Sequence, residues 1–136
     1  MYTGPRRKYT TPVHDAGAGA GNYYYMGPKG KKGMIVDYGV ENVSEAFTAD
    51  TLPSYVSIGT SGDIDAYGEE FSMATTAINA CRSVRSVFSK PADVNLYILK
   101  STKIAADTAF RIAITAPTGG TPAGIGQFWC EVVWEA

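Results

Sequence analysis

The chain has no run of eighteen apolar residues, a single histidine, two cysteines and only 18% charged residues. Each scarcity removes a class of function. The basic start MYTGPRRKYTTPVHDAG is followed by no hydrophobic stretch, so neither a membrane span nor a secretory leader is expected. Cys81 and Cys130 are far apart with no CxxC pair, which indicates neither a zinc site nor a disulfide framework; both read as small buried hydrophobes. His14 has no positioned carboxylate or nucleophile beside it, and a general base needs held geometry. No catalytic residue, no cofactor and no metal are therefore expected, and the chain reads as non-enzymatic.

Three motifs come near a chemistry and miss it. Asp63, Asp65, Glu69 and Glu70 in GDIDAYGEE have the D-x-D opening of a calcium loop. The third ligand, the loop glycine and the terminal Glu are out of place, so a solvated loop is expected. GPKGKKG lacks GxxxxGK[ST] spacing, with no hydrophobic strand before it and no helix after it to aim at a phosphate. Asn42-Val43-Ser44 matches a glycosylation acceptor in a chain without a secretion signal.

What is present is a globular composition with a lopsided charge. The chain has 136 residues, 45% of them hydrophobic, enough for one domain with a core. Residues 1–33 carry Arg6, Arg7, Lys8, Lys29, Lys31 and Lys32 against Asp15, a net +5; the remainder carries six bases and twelve acids, a net −6. The two parts are complementary in charge, and the low charge content suggests that a neighbour covers part of the surface. AGAGAGNYYYMGPKGKKG has no apolar period and is rich in Gly, so residues 1–33 are expected to form a flexible, basic, Gly- and Tyr-rich arm ahead of a β-rich domain at 34–136. Tyr23, Tyr24 and Tyr25 look like anchors, either on the arm's own body or on a partner.

From Met34 onward the pattern is that of short strands between turns. Met34, Val36, Tyr38 and Val40 alternate before the polar stretch ENVSE, and Tyr55–Ile58 forms a second run. Residues 69–80 fit a helical stripe and also carry β-branched residues; a helical turn there, with a strand in RSVRSVFS, is the compromise. VNLYIL and FRIAIT read as half-buried strands, and APTGGTPAG as a tight reversal into the last strand. In GQFWCEVVWE one face holds Phe128, Cys130, Val132 and Trp134. The other holds Trp129 and Val133 among charges, either a subunit contact or a face covered by the arm or a second sheet. The expected fold class is mainly β, an antiparallel β-sandwich or jelly-roll-like barrel with at most one short helix.

Over residues 34–136, especially VSIGTSGDIDAYGEEF and FRIAITAPTGGTPAGIGQFWCEVVWEA, the chain resembles virion structural proteins of tailed bacteriophages, of the capsid decoration or cement type. The resemblance implies a virion protein assembled in the host cytoplasm. It further implies a dimer or trimer that holds the major capsid protein or another virion protein together. The expected contact residues are Arg6, Arg7, Lys8, Tyr23, Tyr24, Tyr25, Lys29, Lys31, Lys32 and Trp129. Two alternatives stand beside it: a tail, neck or fibre-attachment component or other structural subunit, and a nucleic-acid-binding accessory domain using the basic, Tyr-rich arm.

Overall fold

A computed structural model describes residues 2–87 and 102–136. Its strands are β1 (Arg6–Thr10), β2 (His14–Asp15), β3 (Gly21–Tyr25), β4 (Gly33–Thr48), β5 (Tyr55–Gly59), β6 (Gly68–Ser72), β7 (Arg82–Ser83), β8 (Phe110–Ile114) and β9 (Ala123–Trp134). They form two antiparallel sheets, ordered β1-β9-β4-β7 and β3-β8-β5-β6, with β2 a second partner of β9. The protein is mainly β, as its alternating runs require. Helix among the described residues is confined to the turn Ala16–Ala18 and to α1 (Val84–Val87).

The pairing has an inner symmetry. β1 pairs with β9, β3 with β8, β4 with β7 and β5 with β6, so strands from the first half of the chain meet strands from the second in reverse order. Two further ladders, β4 with β9 and β5 with β8, fold this long double ribbon into two facing sheets. That winding is a jelly roll, in which the chain wraps a single core twice and its ends lie side by side.

The core lies between the sheets. β8 sends Phe110, Ile112 and Ile114 inward, β9 sends Phe128, Cys130, Val132 and Trp134, and β4 and β5 add Tyr38, Val40, Val56 and Ile58, all of them 0–1% exposed. The period-two pattern dictates these faces. Gly119 and Gly120 sit at φ +90° and +65° in the reversal before β9, a backbone region glycine enters without steric penalty.

The expected flexible arm at residues 1–33 is not what the structure contains. β1 and β3 are the end strands of the two sheets, and the corner between them is held at Thr11. Its N–H donates to the Phe128 carbonyl at 2.7 Å, and its hydroxyl accepts from the Phe128 N–H at 3.1 Å. Tyr9 and Tyr25 turn inward and meet each other at a 5.6 Å centroid distance; Phe110 lies 5.0 Å from Tyr9 and 5.9 Å from Tyr25. The Trp134 indole N–H donates to the Tyr9 hydroxyl at 3.1 Å. A Gly- and Ala-rich segment with no core of its own is thus ordered by sheet edges assembled from residues about a hundred positions away. Ladder hydrogen bonds and two tyrosine rings offset the entropy of ordering.

Three local expectations also change. β4 does not stop before ENVSE but runs on to Thr48, accommodating the polar stretch through an irregular register between Glu41 and Glu45, with Asn42 at φ +51°. Around residues 69–80 the order of elements is reversed: Gly68–Ser72 is strand, with Phe71 turned into the core, and the helical turn comes later, at Val84–Val87. Cys81 is exposed, on the turn leading into β7, whereas Cys130 is buried. VNLYIL and the end of RSVRSVFS lie outside the described residues.

Candidate interaction surface

The side chains singled out from the sequence are divided between the two sheets: β1 and Trp129 belong to the sheet in which β1 pairs with β9, and the tyrosine triplet to the sheet in which β3 pairs with β8. β1 alternates: Arg6, Lys8 and Thr10 point away from the core in register with Val133, Glu131 and Trp129 of β9, while Tyr9 points inward. Arg6 reaches Glu131 at 3.5 Å. Lys8 reaches Glu41 on β4, and its ammonium also lies 4.8 Å from the Trp129 ring centroid. Arg7 remains exposed. The complementary charges of the N-terminal segment and the rest of the chain are therefore partly brought together within one molecule. Solvent screens these pairs, each contributing about 0–1 kcal/mol.

The tyrosine triplet is divided by strand alternation. Tyr23 and Tyr25 pack against the core, and Tyr24 faces outward at 51% exposure. Tyr23 also has a polar partner, since its hydroxyl lies 2.8 Å from His14 Nδ1 while His14 Nε2 lies 2.9 Å from the Gly19 carbonyl. A carbonyl can only accept, so Nε2 carries the proton and, in the neutral ring, Nδ1 accepts from Tyr23. His14 is thus a fastener that closes the corner between β2 and β3.

The lysine-rich turn is held by carboxylates of its own chain. The Gly30 N–H donates to Asp107 Oδ1 at 2.8 Å, the Lys32 N–H to Glu135 Oε1 at 2.7 Å, and the Lys31 ammonium to the Ala136 carbonyl oxygen. Backbone N–H groups of the kind a phosphate loop would present are occupied here by acids. Lys29 is exposed. Gly27 lies against the Trp134 indole so closely that a Cβ there would fall 2.1 Å from the ring, so only glycine permits this approach.

Trp129 is half-buried at the centre of the outer face of β9, beside a shallow hollow of about 160 Å³ lined by Glu41, Cys81, Arg82, Ser83 and Ser86. A larger cleft, about 350 Å³, opens at the opposite end of β9. Phe47, Pro53 and Pro117 form its apolar walls, and Asp50 and Thr75 add polar groups. Asp63 and Asp65 lie in a loop shaped by its own turns: the Asp63 N–H donates to Thr60 Oγ1 at 3.1 Å, and the Asp65 N–H to Asp63 Oδ1 at 3.4 Å. Among the described residues, no three His, Cys, Asp or Glu side chains come close enough to hold a metal ion.

The sequence reading missed two residues that matter here. Tyr9 holds β1 to the core, and its signal is the inward position in RRKYT. Arg111, the lone charge inside the apolar run FRIAI, is 8% exposed on the outer face of β8, opposite Tyr24. Burial of Cys130 pushes its thiol pKa far up, with the neighbouring Glu131 charge adding to the effect, so the group stays protonated and unreactive.

Comparison with protein-family models, with curated proteins and with solved structures gives no match to this chain. The functional reading accordingly rests on fold and surface.

Proposed function

We propose that this chain is a non-enzymatic structural protein of a virion head, of the decoration or shell type, holding neighbouring subunits together by side-by-side contacts. The jelly-roll winding carries the reading. Viral capsid domains, lectins and cupins share that architecture, which by itself indicates only a class of candidates. The side chains favour the structural member of that class. The one histidine is spent on Tyr23 and Gly19, and the described carboxylates make loop and strand contacts rather than a ligand cluster. The outer face of β1, β9 and β4 carries a half-buried Trp129 among alternating charges, the mixture of an aromatic anchor and a polar rim that suits a subunit contact.

The nucleic-acid alternative is weaker for a physical reason. Arg6, Lys8 and Lys31 lie against acceptors of their own chain, so the free basic character of this segment narrows to Arg7, Lys29 and Lys32. Counterion release from phosphates needs several unpaired bases on one track.

The test is assembly. Purified protein at rising concentration, followed by sedimentation velocity and negative-stain electron microscopy, is expected to form regular rings, sheets or shells, or to coat empty phage heads. Protein that remains monomeric throughout and coats no head refutes the proposal.

A further inference from the structure

Arg111 is a buried cation that has no counter-charge among the described residues. Its side chain lies on the outer face of β8, between Tyr24 of β3 and Gly59 of β5. Nη1 donates to Asn22 Oδ1 at 3.0 Å, the guanidinium lies 5.9 Å from the Tyr24 ring centroid, and Nε is buried with no hydrogen-bond partner. No carboxylate among the described residues makes an ion pair with it. The other wall is the loop after β5, whose Asp63 carbonyl comes within 2.0 Å of where a Gly59 Cβ would stand. A guanidinium presents a rigid fork of five donors suited to a two-oxygen acceptor, and burying it with donors unused is costly.

We propose that Arg111, with Asn22 and Tyr24, forms a receptor for a single carboxylate presented by a second copy of this chain. The inference rests on the assembly reading above and names its contact. Among the described residues β3 is an end strand, with no strand on its outer edge, which offers backbone groups to a neighbour beside the receptor. An identical chain has the chemistry to fill it, since residues 34–136 hold twelve acids against six bases. Tyr24, half exposed over the guanidinium, acts as the cover that the incoming group displaces.

The diagnostic variant is Arg111→Met, which keeps length and removes the charge. A guanidinium serving only its own fold would lower the melting temperature when lost. A receptor lacking its ligand predicts the opposite pairing: an isolated chain at least as heat-stable as the wild type, with self-association at least tenfold weaker by sedimentation velocity. Sodium acetate serves as the small probe and is expected to raise the melting temperature of the wild type more than that of Arg111→Met. Sodium chloride at equal ionic strength is the control. A destabilised Arg111→Met that associates normally overturns the proposal. A monomeric wild type that acetate still stabilises through Arg111 rejects the second copy as occupant, while leaving an anion site. A monomeric wild type indifferent to acetate rejects the receptor together with the assembly reading. Oligonucleotide binding lost in Arg111→Met would transfer the site to nucleic acid and likewise refute the carboxylate.

Discussion

Replacing Tyr9 by alanine separates an integral first strand from a loose N-terminal tail. In a mobile tail the substitution changes stability by less than about 0.5 kcal/mol. In the structure Tyr9 is half-buried against Phe110, Tyr25 and Trp134, and its hydroxyl accepts the indole N–H of a residue only 1% exposed. Removing the ring forfeits about 2 kcal/mol of partial burial and cavity energy. The lost edge-to-face contacts add about 1 kcal/mol, and the stranded indole donor about 1 kcal/mol more. The sum, taken as about 3–4 kcal/mol because neighbouring terms overlap, corresponds to about 10–14 °C at the unfolding entropy of a chain of 136 residues. Thermal unfolding followed by circular dichroism reads it directly. Tyr9→Phe, which keeps the ring, is expected to lose only about 1 kcal/mol, and Arg7→Ala, on the same strand but exposed, less than about 0.5 kcal/mol. A Tyr9→Ala protein that melts with the wild type refutes the integral strand.

Other consequences are as direct. A thiol reagent applied to native protein should label Cys81 at once and Cys130 only on unfolding, counted by mass spectrometry; prompt labelling of both disproves the buried core face of β9. Because burial raises the Cys130 pKa, stability is complete below the unfolded thiol's ordinary value of about 8.5 and declines as pH rises above it, by about 2 kcal/mol at pH 10. Urea midpoints at pH 7 and pH 10 measure the loss, and Cys130→Ala should flatten it; Tyr25, also shifted upward by burial, adds in the same direction at still higher pH. Gly27→Ala should destabilise the protein by about 1–3 kcal/mol by forcing the Trp134 ring aside, and an unchanged melting temperature would show that the turn does not pack on Trp134.

Alternation made much of the fold legible. In FRIAIT and QFWCEVVW the inward residues are the ones a period of two selects, because a pleated strand sends successive side chains to opposite faces. Residues 69–80 were ambiguous because Phe71, Ala74 and Ile78 suit a helical stripe as well as a strand, and only the pairing of Tyr55 and Val56 with Ser72 and Phe71 resolves it. The N-terminal segment was misread since composition measures what a segment can bury alone, and β1 and β3 bury nothing until β9 and β8 exist. For the candidate surface, residue types were legible but partners were not. Nothing local in RRK indicates Glu131 and Glu41, and the isolated arginine of FRIAI stands out in sequence without revealing that it lacks a counter-ion among the described residues.

By itself the sequence determined a β-rich chain, the inward face of its last strands, the reversal at GGTPAG and the charge imbalance between its first 33 residues and the rest. These follow from local sterics and from periodicity, which act over a few residues. Tertiary structure decided that the tyrosine-rich start closes both sheets, that Arg6 and Lys8 lie against Glu131 and Glu41, and that Arg111 is buried without a counter-charge among the described residues. Those outcomes depend on strand partners about a hundred residues apart, and the free energy of such pairing comes from shared burial that no segment possesses before the sheets meet.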